Sequence, residues 1–384
     1  MNIAIFASAF YPHVGGVEEL VRQLAHAYQD KGHEVLIITN RWPRDLPEAE
    51  DYEGIPVHRF PMRVPEGGVK AQTSYRLTHS SICRSMFNLL RERNIDVLHV
   101  QCISSNGYYA LLAKRALGIP LVVTAQGELT MDAGHLYEKS AFANKVLREL
   151  MDEADYFTGC SQKTLDDIEA HTGRKFGTIA SPVFNGANLA DFNRAEPYQH
   201  PRPYILALGR MVPQKGFDIF LRALAQSGIA SHDVILAGDG PERRPLEAMA
   251  VELGLSNIVH FIGSADRPKT ASLFRGCSFF VMPSTADEGL PLVSVEAMAA
   301  GKALVATRAG GTGEAVIDGE TGIIIPRGDL YALTGGIIRL VNDPALRTRM
   351  GAAGHERAKQ FDWPNIAGEY LGIYRSVTCQ LAAA

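Results

Sequence analysis

The sequence predicts an α/β protein made of two doubly wound parallel sheets, one after the other. Three observations carry this. Short apolar runs alternate with amphipathic stretches along almost the whole chain, which is the pattern of strand–helix–strand units. The alternation restarts at Tyr204, after a proline-containing polar stretch from Glu196 to Pro203 that marks a hinge. A chain of 384 residues that is 46% hydrophobic and 21% charged has the material for more than one buried core.

In the first half, Asn2-Ile3-Ala4-Ile5-Phe6-Ala7 reads as strand one, and a helical pattern runs to about Tyr28. Further strands are expected at Gly32 to Thr39, Val97 to Val100, Leu121 to Thr124 and Tyr156 to Gly159. Gly15-Gly16 occupies the first strand-to-helix turn, where missing side chains let backbone approach a ligand. The turn lacks G-x-G-x-x-G, which argues against a dinucleotide-dependent oxidoreductase.

In the second half, Tyr204 to Arg210 reads as a strand running into the loop Met211 to Gly216. Strands then follow at Val234 to Gly240, Ile258 to Gly263, Cys277 to Met282, Ala303 to Thr307 and Gly322 to Ile325. Ligands of open α/β sheets bind beyond the carboxyl ends of strands, where Arg210 and Lys215 are expected. A guanidinium and an ammonium together suit a diphosphate. The stretch Ser284 to Lys302 reads as a loop and a short helix, with Pro291 in the first helical turn. Glu288 then falls in the loop and Glu296 in the helix, and the first helical amides, including Leu292 and Val293, face an anion site.

A net charge of −4 gives no basic field, so nucleic acid is not an expected partner. The five cysteines are scattered, with no C-x-x-C pair, which points to a reducing cytoplasm, and a zinc site is not expected. Met1 to Ala9 has no basic start and no apolar run reaches the length of a membrane span, so neither a signal peptide nor a spanning helix is expected. From Arg59 to Arg93 cations outnumber anions, and Ile82, Met86, Leu89 and Leu90 recur at helical spacing. Such a helix packs one face on the core, and its basic face is a candidate for peripheral membrane contact.

Glu288-Gly289-Leu290-Pro291-Leu292-Val293-Ser294-Val295-Glu296 resembles the E-x7-E motif of the retaining family 4 glycosyltransferases with the GT-B fold. The segment Gly209-Arg210 to Lys215-Gly216 is similar to that family's diphosphate-binding loop, and Gly15-Gly16 to its glycine-rich loop. The resemblance implies two Rossmann-like domains facing across a cleft. Residues 1–187 would form the acceptor-side domain, completed by a returning helix at 364–384, and residues 188–363 the nucleotide-sugar domain. It also implies a transfer of a sugar from a nucleoside diphosphate, UDP first and GDP second, to a hydroxyl of a glycan, lipid-linked or small-molecule acceptor with retention of configuration.

Under that resemblance Arg210 and Lys215 hold the diphosphate, Glu288 orients the sugar and Glu296 holds the ribose. Gly15, Gly16, Gly209, Gly263, Gly289, Leu290, Leu292 and Val293 line the donor. Gln126 stands where many members carry a histidine, and an amide is no general base. Glu128, Asp132 and His135 are acceptor-contact candidates beside it. No two aspartates lie two residues apart, so the D-x-D metal site of the other main glycosyltransferase architecture is missing, and neither metal nor cofactor is expected. The alternatives are a glycoside hydrolase using Glu288 and Glu296, and a subunit that binds sugar nucleotide without turnover.

Overall fold

The computed structural model describes residues 1–13, 15–129 and 136–383. Asp132 and His135 lie outside the described residues. The chain divides into two compact units, Met1–Phe184 with Trp363–Ala384, and Asn185–Asp362.

The first unit carries an eight-stranded sheet. Its strands are β1 (Asn2–Ala7), β2 (Glu34–Asn40), β3 (Ala49–Tyr52), β4 (Ile55–Phe60), β5 (Val97–Gln101), β6 (Leu121–Ala125), β7 (Tyr156–Gly159) and β8 (Ala180–Pro182). Their order is β3-β4-β2-β1-β5-β6-β7-β8. The central strands are buried on both faces and mostly apolar because helices cover both, as a parallel sheet requires. The expectation of a parallel sheet fails at one edge, where β3 pairs antiparallel with β4. The cause is local: Glu53 and Gly54 both have positive φ, 52° and 81°, which makes a two-residue hairpin turn.

The helix Trp363–Ala383 belongs to this unit. Trp363, Ile366, Ala367, Tyr370, Leu371, Tyr374 and Val377 recur every three or four residues and bury one face against Ile3, Ile5, Leu24 and Tyr28. At roughly 1.5–3 kcal/mol per fully buried large side chain, this seam ties the chain's last segment to its first strand.

The second unit has β9 (Tyr204–Leu208), β10 (Asp233–Ala237), β11 (Val259–Gly263), β12 (Phe279–Met282), β13 (Leu304–Thr307) and β14 (Ile323–Ile325). The order is β11-β10-β9-β12-β13-β14, and every pair is parallel. From β9 the chain first builds outward through β10 and β11, then returns to lay β12 on the other side. The order therefore reverses between β9 and β12, which opens a crevice at their carboxyl ends.

The stretch Glu196 to Pro203, which composition marks as a hinge, is held inside the second unit: the Tyr198 amide donates to Ser272 O at 2.9 Å. The division falls earlier, between Phe184 and Asn185, and slightly ahead of the sequence boundary at Ala187. Ala187 itself bridges to Asp362 and donates its amide to Phe361 O at 2.9 Å, both in the second unit. Among the described residues no helix is long and apolar enough to cross a membrane, and the five cysteines form no disulfide.

Candidate donor and reaction site

The loop after β12 is clamped between the loops after β9 and β13. On one side Thr285 N donates to Gln214 O at 2.8 Å. On the other, Gly310 N donates to Asp287 Oδ1 at 2.8 Å, and Gly311 N to Glu288 O at 3.2 Å and Gly289 O at 3.0 Å. Arg327 holds Asp287 from outside at 2.9 Å. Two glycines make these approaches possible. A Cβ on Gly216 would lie 2.2 Å from Pro283 O, and one on Gly310 only 1.5 Å from Glu288 O; both residues have positive φ.

This clamp aims Glu288 at the β9 loop. Its side chain is 9% exposed, and Oε2 accepts from Lys215 Nζ at 2.7 Å while Oε1 accepts from Ser284 Oγ at 2.5 Å. Lys215 ends a short turn, Pro213–Lys215, that follows β9. The structure thus brings together Lys215 and Glu288, seventy-three residues apart, at the point where strand order reverses. Gly209 and Arg210 leave β9 at the same edge; Arg210 is exposed and forms no ion pair among the described residues. Gly263 closes β11 on that edge too, with φ of 73°.

Gly289 and Leu290 are buried in the loop, and Leu292 and Val293 open the helix Leu292–Ala299. Pro291 caps this helix instead of lying in its first turn: its carbonyl accepts from Ser294 N at 3.0 Å and from Ser294 Oγ at 2.7 Å. Its ring therefore removes no amide that the helix needs. The amides of Leu292 and Val293 have no backbone partner among the described residues, so the positive end of the helix dipole stays available to an anion. Glu296 lies half-buried on the second turn.

In the first unit, strand order reverses between β1 and β5, and the expected residues gather beyond those ends. Gly16 starts the helix Gly16–Gln29, and Gly15 caps it with extended backbone. A Cβ at Gly16 would meet nothing within 4 Å, and one at Gly15 only the movable Glu18 carboxylate. Chain sterics do not demand glycine at Gly16. Glu128 uses both carboxylate oxygens on backbone, Oε1 accepting from Ile103 N at 2.5 Å and Oε2 from Gln126 N at 2.8 Å. Burial pushes its carboxyl up, against the pull of those amides. It ties the β5 loop to the β6 loop directly beside Gln126.

Sequence reading missed what holds Gln126. Its Nε2 donates to Gln101 Oε1 at 2.9 Å, and Gln101 Nε2 lies 3.2 Å from His99 Nε2, which also meets Thr124 Oγ1 at 2.7 Å. With that nitrogen accepting, the proton sits on Nδ1, which meets the Tyr374 hydroxyl; Tyr374 in turn meets Tyr28 at 2.7 Å. Burial holds the His99 pKa down to about 3, so the ring is neutral. The available signal was a histidine and a glutamine inside the otherwise apolar run Val97–Gln101.

The basic region is a core-packed helix, Val69–Glu92, burying Ile82, Cys83, Met86 and Leu90. Arg59 departs from the expected surface role: it is 2% exposed, pairs with Glu50 at 2.5 Å and donates to Tyr11 O at 2.6 Å. Lys70, Arg76, Arg84, Arg91 and Arg93 are exposed.

Residues 191–357 match the family described as glycosyl transferases group 1, and residues 15–179 match the glycosyl transferase 4-like domain. The chain is 28% identical to an uncharacterized glycosyltransferase of Methanocaldococcus jannaschii, over 97% of this chain and 98% of that one. It is 27% identical to a GDP-mannose-dependent alpha-mannosyltransferase of Mycolicibacterium smegmatis, over 98% of each. Its fold matches that of Anabaena HepE, solved in complex with UDP, with a TM-score of 0.77 and 21% identity over 98% of this chain and 100% of that one. Two matched regions, one in each unit, and relatives aligned end to end leave one assignment: this chain belongs to the family 4, group 1 glycosyltransferases and has their GT-B fold.

Proposed function

We propose that the enzyme moves a hexosyl group from a nucleoside diphosphate sugar to an acceptor hydroxyl, with retention of configuration and without a metal ion. The observation that carries this reading is the Lys215–Glu288 contact of 2.7 Å at the reversal point of the second sheet. Arg210 at the same strand end and the amides of Leu292 and Val293 add positive potential where a diphosphate would lie. Lys215 has three N–H donors and gives one to Glu288, leaving two for phosphate oxygens. Glu288, fixed from two sides, would accept from sugar hydroxyls, and Glu296 from the ribose.

In the proposed step the bond between C1 of the sugar and the diphosphate oxygen breaks, and its electron pair leaves with the diphosphate. The acceptor hydroxyl oxygen bonds to C1 on the same face, and its proton passes to a diphosphate oxygen. Gln126 then needs no basicity; its anchored amide would orient a hydroxyl. Stabilising the charge that develops on the leaving diphosphate is the largest contribution asked of the protein.

UDP is the carrier first expected, and HepE was solved with it. The GDP-mannose-dependent relative favours guanosine as the competing base. The exposed cations of Val69–Glu92, beside exposed Val69 and Leu77, would let the first unit rest on an anionic bilayer; co-sedimentation with anionic but not zwitterionic vesicles tests this. For the transfer itself, a panel of UDP-, GDP- and ADP-sugars is assayed for nucleotide release with and without EDTA, and the product anomer is read by NMR. Turnover that EDTA abolishes and Mg²⁺ restores, or an inverted anomer, would overturn the proposal.

A further inference from the structure

We propose that His200, Asp233 and His260 bind a divalent transition-metal ion, zinc by preference, at the amino-terminal edge of the second sheet. Asp233 opens β10, His260 is the second residue of β11, and His200 lies in the stretch leading to β9. Three segments distant in sequence thus place one ligand atom each within 4.8 Å of one another. Asp233 Oδ2 is 2.8 Å from His200 Nε2 and 3.3 Å from His260 Nε2, and the two rings meet edge to face, 5.2 Å apart.

Zinc takes imidazole nitrogen and carboxylate oxygen at about 2.0–2.2 Å in tetrahedral array, which separates its ligand atoms by roughly 3.4 Å. The present spacing reaches that value through shifts on the order of 1 Å at the ends of rotatable side chains. His260 has a side chain 38% exposed, so a fourth position opens to water.

A second observation points the same way. Asp233 is 5% exposed, yet its Oδ1 has no properly directed hydrogen bond, although Arg202 comes within 3.0 Å. That contact is an ion pair without hydrogen-bond alignment, so Arg202 offsets the charge of Oδ1 while Oδ2 stays with the two imidazoles. Two imidazoles with one carboxylate select zinc, nickel or cobalt over magnesium and calcium, which prefer oxygen. The site is not catalytic. The donor loops leave the opposite ends of these five-residue strands, roughly 15 Å away at 3.3 Å per residue. A bound ion would instead cross-link the His200 stretch to β10 and β11.

The test uses the full-length chain with Cys379→Ser, which removes the exposed thiol, stripped with EDTA. Zinc is titrated by calorimetry, and cobalt by its visible spectrum. The expected result is one equivalent bound, tetrahedral d–d bands without a thiolate charge-transfer band, and an unfolding temperature raised by zinc but not by magnesium. His260→Ala, at a half-exposed position and with its fold checked by circular dichroism, and His200→Ala should each weaken binding at least tenfold and abolish the thermal shift. Zinc binding unchanged in His260→Ala, or no saturable binding at submillimolar zinc, would overturn the site and leave the three residues as a hydrogen-bonded cluster only. Neither outcome bears on the proposed transfer.

Discussion

Lys215→Ala tests the proposed donor site most directly, because Lys215 has one job in the resting protein and a second, separable one in the proposed reaction. In the resting protein its ammonium lies 2.7 Å from Glu288, whose side chain is 9% exposed. Removing one member of a fully buried ion pair costs about 3–5 kcal/mol. Lys215 is 24% exposed, so partial solvent screening lowers the expected loss to about 2 kcal/mol. In the reaction the same ammonium would neutralise the departing diphosphate, a contribution of about 2.7–4 kcal/mol, or 10²–10³ in kcat. Urea unfolding measures the first quantity. Nucleoside diphosphate release with water as acceptor measures the second without knowledge of the natural acceptor.

The two jobs come apart in the double variant Lys215→Met/Glu288→Gln. It buries no charge, so its urea midpoint should return close to wild type while turnover stays at least 10² lower. Arg210→Ala is the companion control: exposed and without an ion pair among the described residues, it should leave stability within about 0.5 kcal/mol and still lower kcat by about 10²–10³. Near-normal turnover in both single variants, or recovery of turnover in the double variant, would refute the assignment of these cations to the leaving group.

Gly310→Ala places a Cβ where Glu288 O already lies, on a backbone with φ of 53°, and should destabilise by at least about 3 kcal/mol in urea while lowering kcat through the displaced Glu288. Gly16→Ala is the opposite case: no atom of the chain stands within 4 Å of the new methyl, so stability should stay within about 0.5 kcal/mol. If a donor phosphate packs on that turn, donor KM rises about tenfold, equivalent to 1.4 kcal/mol; an unchanged KM removes Gly16 from the site. Burial pushes the Glu19 carboxyl up, but hydrogen bonds from Arg22, Gln23 and Tyr11 outweigh it and hold the pKa down to about 2. A depressed carboxylate stabilises the fold above its unfolded value and loses that contribution as pH falls toward 2. Glu19→Gln should therefore flatten the loss of stability between about pH 4.5 and 2 by about 2–3 kcal/mol, read from urea midpoints.

Strands such as Asn2–Ala7 and Val97–Gln101 were legible because burial on both faces forces near-continuous apolar runs bounded by polar turns. The Ala49–Tyr52 strand was not. It lies on an edge, answers to one neighbour, and carries Glu50 and Asp51 where an inner strand would carry valine or isoleucine. The hinge misled for a related reason. Proline and polar side chains announce irregular backbone, but not whether that backbone is held, and Tyr198 and His200 are held.

At the site, residue types and spacing identified Lys215 and Glu288 as candidates, but the contact between them depends on clamping by the neighbouring loops. Gly216 and Gly310 look like ordinary turn glycines in sequence; only the fold shows that each makes room for a carbonyl on the Pro283–Glu288 segment. Without those two missing side chains the loop would move away from β9 or β13, and Glu288 would lose either Lys215 or the Gly311 anchor. The same reasoning explains why Gln126 can replace a histidine. Its amide is fixed by Gln101, and Gln101 by a neutral His99 whose other ring nitrogen meets Tyr374 of the last helix. A side chain so anchored would orient a hydroxyl without exchanging a proton, which is the role the proposed transfer leaves to it when the diphosphate takes the proton.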